Sequence, residues 1–325
     1  MDYQHRSFSN CFSSVALDRA FEKRKDEAWL RTQLTDPATC FVALWKQKCL
    51  INSESEPRLV TLNAADYAAA RIESEPVFLG QRNQHAYFAT EVLEQRHCLQ
   101  RLEALGELME MWAACAVLPD HDAAVLGYAR AMLHWHRHHQ HCGTCGGPTV
   151  SKEGGHVRRC TNTQCAVSHF PRTDPAVIVI VTHEDRCLLG RDPAWPAGQY
   201  SVVAGFVEPG EPLEAAVARE VFEETGLRVH NINYLSSQPW PFPGSIMLGY
   251  SAETDDPRLN LNHDELEDAM WLTREELREA VQTKRLKVPT RISIAYRLVQ
   301  DWYDAGSVGD LDELAMVAWR GTDSK

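Results

Sequence analysis

The segment with the most evident chemistry is a helix, predicted over residues 213–225, that carries a cluster of carboxylates. A proline stands at its first turn and Gly226 just past its end, as is common at helix boundaries. At about 100° per residue, four charged side chains fall within an arc of about 140°: Arg219, Glu220, Glu223 and Glu224. Three carboxylates therefore share one face of this helix.

Such crowding of like charges is unfavourable unless cations neutralise it, and hard divalent ions such as Mg²⁺ take carboxylate oxygens as ligands. Arg219 stands beside the glutamates, where its guanidinium can hold a carboxylate through two parallel hydrogen bonds. The pattern favours a divalent-metal site. The alternative is a solvated acidic helix face, which is common for an isolated run of this kind.

Two pairs of cysteines suggest a second metal site: Cys142, Cys145, Cys160 and Cys165. Their spacing suits a closed tetrahedral zinc site of the structural type, with one zinc per chain. Metal binding would supply the folding free energy of a segment with so few apolar residues. His141 or His169 can in principle replace one cysteine as a ligand, and four reduced, unliganded thiols are the remaining alternative.

Other cysteines and histidines are interpreted without a metal. The scattered cysteines indicate a reducing compartment rather than a disulfide framework: Cys11, Cys40, Cys49, Cys98, Cys115 and Cys187. A helix end rich in histidine is predicted to be a solvated surface: His134, His136, His138, His139 and His141.

The elements around these residues predict an N-terminal region of short strands up to about residue 95, followed by helices over 99–116 and 122–136 that pack on the sheet. A run of β-branched residues at 177–181 predicts a buried strand. Further strands are predicted near 187–189, 200–203, 233–237, 246–252 and 269–272, with closing helices near 274–282 and 290–301.

The chain has 325 residues, a length that favours two domains plus a small module. Its net charge is -12. The acidic balance argues against a general electrostatic grip on nucleic acid or an anionic membrane. No stretch approaches the roughly 18 apolar residues of a membrane helix. The composition therefore predicts a soluble, cytoplasmic protein with no membrane partner.

The acidic helix and the loop ahead of it resemble the Nudix box, a glycine, five residues, glutamate, seven residues, then Arg-Glu-apolar-x-Glu-Glu-x-Gly-apolar. Every defined position matches between Gly205 and Leu227. The resemblance implies a mixed α+β and α/β protein: a Nudix α/β/α sandwich at 173–325, a zinc ribbon at 137–172 and a smaller α+β domain at 1–136. It also implies hydrolysis of a nucleoside diphosphate linked to another moiety.

The same resemblance implies roles for individual residues. Glu220 and Glu224 would hold Mg²⁺ or Mn²⁺, and Glu223 would be a ligand or assist the attacking water. The carbonyl of Ala204 would be another ligand, and Glu265 matches the late glutamate of the family. Several acids adjoin Glu265, so a surface acidic loop is the alternative there.

A second motif follows the box, where three prolines alternate with Trp240 and Phe242. Because proline fixes φ, the two rings are held in a stiff loop that suits a nucleobase, or that packs in a core. The segment resembles the Ser-Gln-Pro-Trp-Pro-Phe-Pro-x-Ser array of the NADH pyrophosphatase, or NudC-like, branch. The preceding zinc ribbon, the linker 170–175 and the segment 293–295 resemble that branch too.

This resemblance implies hydrolysis of NADH to NMNH plus AMP and of NAD to NMN plus AMP, removal of NAD caps from RNA in some members, and a homodimer. By position, Phe170 and Phe206 would stack on a base and Ala295 would contact the substrate. The rest of the implied substrate lining is Gln238, Pro239, Trp240, Pro241, Phe242, Pro243, Gly244 and Ser245. Two alternatives remain: a Nudix hydrolase of ADP-ribose or other nucleoside diphosphate derivatives, and a zinc-ribbon protein that binds nucleic acid.

Overall fold

The computed structural model describes residues 3–93 and 96–319, which form two compact units. One, the N-terminal unit, contains residues 11–173 and the segment 239–245. The other, the C-terminal unit, contains residues 174–238 and 246–319, together with residues 3–10.

The strands of both units, in chain order, are β1 (Cys40–Trp45), β2 (Lys48–Asn52), β3 (Arg58–Leu59), β4 (Val77–Arg82), β5 (His85–Glu91), β6 (Glu107–Glu110), β7 (Thr149–Lys152), β8 (Val157–Cys160), β9 (Ser168–His169), β10 (Asp174–His183), β11 (Arg186–Arg191), β12 (Val203–Phe206), β13 (His230–Trp240), β14 (Ser245–Glu253) and β15 (Asp268–Leu272).

The helices are α1 (Tyr3–Phe8), α2 (Glu27–Gln33), α3 (Ala64–Ala70), α4 (Arg96–Glu103), α5 (Met111–Val117), α6 (Asp120–His138), α7 (Leu213–Thr225), α8 (Arg274–Gln282), α9 (Ile294–Asp304) and α10 (Leu311–Trp319), with 3-10 turns at Phe21–Lys25 and Glu153–Gly155. In the described residues, no helix is long and apolar enough to cross a membrane.

The N-terminal unit is built on a sheet of order β3-β2-β1-β5-β4, to which β6 adds by pairing with β2. Strands β1 and β5 run parallel, and Phe41 faces Phe88 across them. Phe41 also stacks on Tyr67 with a ring separation of 4.1 Å, inside a core of buried apolar side chains. Helix α6 contacts β4 and β5, which confirms the predicted helix and its packing on the sheet.

The single helix predicted over residues 99–116 is wrong. The chain forms α4, the strand β6 and then α5. At the break, a Cβ on Gly106 would lie 2.6 Å from the carbonyl oxygen of Ile51, so only glycine allows the chain to approach β2 this closely. Strand β6 then pairs with β2, Leu108 opposite Leu50. Long-range pairing with a sheet edge overrides the local helical spacing.

The C-terminal unit has a sheet of order β13-β14-β10-β11-β15, with β12 pairing to β10. Residues of β10 point alternately to two cores, since side chains alternate along a strand. Val177 and Val179 pack in the core that includes α7, whereas Ile178 and Ile180 pack in the core that includes α8 and α9. The predicted α/β/α sandwich is confirmed.

Most predicted elements of this unit are found near their predicted positions. Helices α7 and α8 have the predicted bounds, and α9 begins at Ile294 because Ser293 caps it, accepting a hydrogen bond from the Ala295 N–H. Strand β12 begins at Val203, later than predicted, because just upstream the chain makes only isolated bridges, from Ser201 to Gly190 and from Gln199 to Lys287. Helix α10 was not predicted.

Candidate active site

Arg219 ties the acidic helix α7 to the loop before it. Its Nε and Nη2 donate to the two carboxylate oxygens of Glu211, at 3.1 and 2.6 Å, and Nη2 also donates to the Phe206 carbonyl at 2.9 Å. Its Nη1 donates to Glu220 and Glu223, at 2.9 and 3.0 Å. The guanidinium lowers the pKa of the Glu211 carboxyl and fixes the direction of three carboxylates.

Gly205 makes room for one of these carboxylates. It lies in β12 opposite Val177 of β10. A Cβ at this position would lie 1.9 Å from Cδ of Glu220 and 2.1 Å from both of its oxygens. The buried Glu220 carboxylate therefore rests directly on the strand backbone, and any side chain at residue 205 would displace it.

Glu224 is the most buried glutamate of the cluster. Burial, together with the charges of Glu220, Glu265 and Asp192, raises the pKa of this carboxyl to about 8. Burial also raises the pKa of Glu220. Within the described part of the chain no arginine or lysine pairs with Glu224, so its negative charge lacks a protein cation.

Glu265 is brought to this cluster by a loop that hangs on the end of α7. Gly226 adopts a φ of 75° there, and the N–H groups of Asn260 and Asn262 donate to the carbonyls of Thr225 and Glu224, at 2.9 and 3.0 Å. The exposed Glu265 raises the pKa of both Glu220 and Glu224 through its charge, so it lies near enough to act on both carboxyls.

Asp192, by contrast, is a carboxylate that the sequence reasoning missed. It directly follows β11, and its Oδ1 accepts a hydrogen bond from the Ala194 N–H at 2.7 Å. Its position at the end of a predicted strand was the available signal.

The donor set fits a divalent cation of the Mg²⁺ or Mn²⁺ type, because it consists of hard oxygens and a buried carboxylate without a counter-charge. Ala204, whose carbonyl is a further candidate donor, lies in β12 beside Gly205, opposite Ile178 of β10.

The four cysteines of the ribbon converge in a separate place, beside the antiparallel sheet β7-β8-β9. The Sγ atoms of Cys142 and Cys165 are 3.8 Å apart, those of Cys145 and Cys160 are 3.5 Å apart, and all four lie within 4.8 Å of one another. A zinc tetrahedron with bonds of about 2.3 Å has sulfur–sulfur edges of about 3.8 Å. The quartet therefore has the dimensions of a structural zinc site.

The environment of Cys142 favours a thiolate. Main-chain N–H groups of Thr144 and Cys145, together with hydrogen bonds to His169 and Cys165, lower the pKa of its thiol to about 5, and the Thr144 nitrogen lies 3.4 Å from Sγ. His169 Nε2 lies 3.2 Å from the same sulfur. This distance suits a hydrogen bond to a metal-bound sulfur, with His169 beside the quartet rather than in it.

The histidine-rich end of α6 does not converge in this way. His136 bonds to the Gly155 carbonyl at 2.7 Å, His138 to its own helix at 2.9 Å and His139 likewise at 2.8 Å. His138 and His141 are exposed as expected, but burial lowers the pKa of His136 to about 4. The rings of His136, His138 and His139 therefore each bond to a different main-chain carbonyl.

The residues predicted to line the substrate fall into two sets, one in each unit. In the C-terminal unit, Gln238 is fully buried, and its amide donates to the Ile292 carbonyl and accepts from the Ile294 N–H, both at 2.7 Å. Ala295 is also buried, whereas Phe206 is 60% exposed. Of these three residues, Phe206 is therefore the one that is exposed to solvent.

In the N-terminal unit, Phe170 is 66% exposed. Trp240 is half-buried and meets three rings edge-on: Phe12 at 6.4 Å, Trp112 at 5.7 Å and Phe242 at 5.5 Å. The segment 239–245 therefore packs against its own unit through aromatic contacts.

Comparison with protein families finds three matches along the chain. Residues 38–135 match an NADH pyrophosphatase-like rudimentary NUDIX domain, residues 137–170 the NADH pyrophosphatase zinc ribbon domain, and residues 172–291 the NUDIX domain.

Among curated proteins, the chain is 35% identical to the NAD-capped RNA hydrolase NUDT12 of Macaca fascicularis, over 90% of this chain and 73% of that protein. It is 33% identical to the NAD-capped RNA hydrolase NudC of Mycobacterium bovis, over 93% of this chain and 97% of that protein. A solved NUDIX hydrolase from Nitrosomonas europaea aligns with a TM-score of 0.42 and 20% identity, over 53% of this chain and 94% of that one.

Proposed function

Since this chain belongs to the Nudix hydrolases of the NADH pyrophosphatase family, we propose that it hydrolyses the pyrophosphate of NADH and NAD, giving NMNH or NMN plus AMP. The observation that carries the proposal is the carboxylate face of α7, which Arg219 and Gly205 hold in place in front of β12. NAD-capped RNA is a further substrate, supported by relatives that are named for this activity.

In this reaction water adds to one phosphorus while the bridging oxygen leaves with the other phosphate. We assign Glu220, Glu224 and Glu265, with the Ala204 carbonyl, to hold Mg²⁺ or Mn²⁺, and Glu223 to hold a cation or orient the water. A divalent cation bound there supplies positive charge to the pyrophosphate oxygens and lowers the pKa of water.

Arg219 contributes without touching the substrate in this scheme. Its bonds to Glu211, Glu220 and Glu223 keep the carboxylates in one arrangement before the substrate arrives. Preorganised charge of this kind needs little rearrangement as the transition state forms, which is the main electrostatic source of catalysis.

We propose that the cysteine quartet holds one structural zinc per chain, and that the protein is a cytoplasmic homodimer. All-sulfur coordination closes the metal to substrate, so the ribbon has an architectural role. The free thiols outside the quartet are consistent with a reducing compartment. Zinc analysis tests the metal assignment, and the mass in solution tests the homodimer.

For the substrate, we assign Phe170 and Phe206 to stack on bases, with Ala295 and residues 238–245 completing the lining. The exposed faces of both phenylalanines support their part of this assignment. Stacking of a base on an aromatic ring contributes roughly 1 to 3 kcal/mol. Replacement of Phe206 by leucine would remove that contribution and keep an apolar side chain.

The decisive experiment compares turnover of NADH, NAD, ADP-ribose and NAD-capped RNA by the same preparation with Mg²⁺ and with Mn²⁺. We expect AMP and NMNH or NMN from the dinucleotides, and 5′-monophosphate RNA plus NMN from the capped RNA. A higher kcat/KM for ADP-ribose than for every NAD-containing substrate would replace the assignment by that of an ADP-ribose hydrolase.

A further inference from the structure

The segment 239–245, here called the proline–aromatic loop, joins β13 to β14 and has few main-chain donors of its own. Pro239, Pro241 and Pro243 have no N–H group, so alternate residues of the loop cannot donate a main-chain hydrogen bond. Carbonyls of such a segment need donors from elsewhere, because buried main-chain acceptors are almost always paired.

Arg130 of α6 supplies those donors. Its Nη1 donates to the Pro241 carbonyl in a short contact and to the Pro243 carbonyl at 3.3 Å. The guanidinium carbon also lies 4.8 Å from the centre of the Phe242 ring, within the range of a cation–π contact. One side chain therefore contacts both proline carbonyls and the ring between them.

The guanidinium is itself held from behind. Gln47, in the turn between β1 and β2, accepts from Arg130 Nε at 3.1 Å and from Nη2 at 2.8 Å. The main-chain carbonyl of the same Gln47 accepts from the Met111 N–H, which starts α5, at 2.8 Å. Gln47 thereby fixes both Arg130 and the helix that carries Trp112.

Two further rings complete the support. Phe12 and Trp112 meet Phe242 edge-on at 6.0 and 5.4 Å, as they also meet Trp240. Phe12 itself fits against α6 at Gly127, where a Cβ would lie 2.7 Å from its ring. One side of the loop is thus supported by side chains of distant segments that belong to the same unit.

The hydrogen-bond acceptors of the Arg130 guanidinium are all neutral among the described residues. Among the described residues no carboxylate forms an ion pair with it, and burial lowers the pKa of its guanidinium. Desolvating a cation without an anionic partner is unfavourable. Because the position of Arg130 is unfavourable for stability, it is better explained by a requirement for one conformation of the loop.

We propose that Arg130 is a positioning residue for substrate selection: it holds the proline–aromatic loop in the conformation that receives the dinucleotide. The inference rests on the proposed function, because the loop matters for turnover only if it lines the substrate. It gives Arg130 a role in substrate binding, exerted through main-chain carbonyls of the loop.

The test uses the full chain with two variants. Arg130→Lys keeps the charge but replaces the three nitrogens of the planar guanidinium by one, and Arg130→Ala removes the group. For both we expect KM for NADH to rise roughly tenfold with kcat nearly unchanged, since lost ground-state and transition-state binding raises KM alone. Added methylguanidinium should restore part of the loss in Arg130→Ala. Arg137→Lys is the matched control, because Arg137 lies two turns further along α6 and pairs with Glu91 instead.

A second measurement is independent of the reaction. Acrylamide quenching of Trp240, taken as the difference between each variant and its Trp240→Phe derivative, should increase when Arg130 is replaced and stay constant in Arg137→Lys. Unchanged quenching together with unchanged KM in a folded, zinc-containing Arg130→Ala would overturn the inference. Absence of NADH turnover by the parent chain would instead overturn the proposed function, and the quenching would still decide whether Arg130 holds the loop.

Discussion

The cysteine quartet and the glutamate face of α7 are both dense sets of side chains that can bind metal. The two sets differ in how the protein arranges side chains that repel one another when charged. The four sulfurs already have the spacing of a zinc tetrahedron, and in the described residues no other group of cysteine, histidine and acidic side chains converges within the same limit. The carboxylates are spread around Arg219 instead. The thiol site is closed, whereas the acidic site is held open.

This difference indicates what each site is for. A closed sulfur site leaves no coordination position for a substrate, so a metal bound there would contribute to folding. In the acidic site, the Arg219 guanidinium holds the carboxylates in place. Other carboxylate oxygens remain free for exchangeable ions and substrate. The two sites should therefore respond to mutation in opposite ways, one in stability and the other in rate.

The largest effect is expected for Cys160→Ser. Removal of one of four sulfur ligands should release zinc and lower the free energy of unfolding by more than about 3 kcal/mol, because zinc binding by ribbon-like modules is worth about 10 to 16 kcal/mol. Metal analysis and chemical denaturation measure both. Cys40→Ser, outside the quartet, is the control, and full zinc retention in Cys160→Ser would contradict the site.

Glu224→Gln should leave the unfolding free energy nearly unchanged or raise it, because it removes a buried ionisable group but almost no volume. Turnover of NADH should fall about 100-fold or more, as expected if several kcal/mol of charge stabilisation are lost. Steady-state kinetics at saturating Mg²⁺ measure this. Glu214→Gln, on the exposed side of the same helix, should retain full activity; equal rates for the two variants would remove Glu224 from the chemistry.

Gly205→Ala tests whether the carboxylate needs the bare strand behind it. The added methyl would overlap Glu220, so we expect kcat or the apparent Mg²⁺ affinity to fall roughly 10- to 100-fold, as for residues that support metal ligands. A Mg²⁺ titration of the rate separates the two. Gly143→Ala is the control, since a Cβ there meets no atom within 4 Å.

The smallest effect is expected for Arg219→Lys. A lysine keeps the charge but loses the two-pronged bond to Glu211, so a decrease in kcat/KM of roughly tenfold follows from the loss of a charge-assisted pair. In combination with Glu211→Gln, the two losses should be less than additive because both break the same contact. Strict additivity would show that Arg219 acts elsewhere.

The local part of this architecture could be predicted from the sequence. Helix α7 and its carboxylate face follow from proline and glycine boundaries and helical spacing, and the ribbon follows from cysteine spacing. These features depend on residues near one another in the chain, where periodicity and turn chemistry are informative.

Long-range features were not predictable in this way. The bonds from Arg130 to a loop more than a hundred residues away, and the pairing of β6 with β2, depend on how distant segments meet. The clearance at Gly205 also belongs to this class, because its reason lies on another element. The contacts of Trp240 with Phe12 and Trp112 likewise join segments that are far apart in the chain.

Helix α1 has a practical consequence for anyone who wishes to express the hydrolase domain alone. Ser7 and Asn10 bond to the main chain of Ser237 in the edge strand β13, at 3.1 and 2.9 Å, and Arg6 pairs with Asp301 at 3.2 Å. A fragment that starts at residue 173 would lose this cover and expose a strand edge, which is a template for self-association. Fusing residues 3–10 to its far end through a flexible linker is the more promising design.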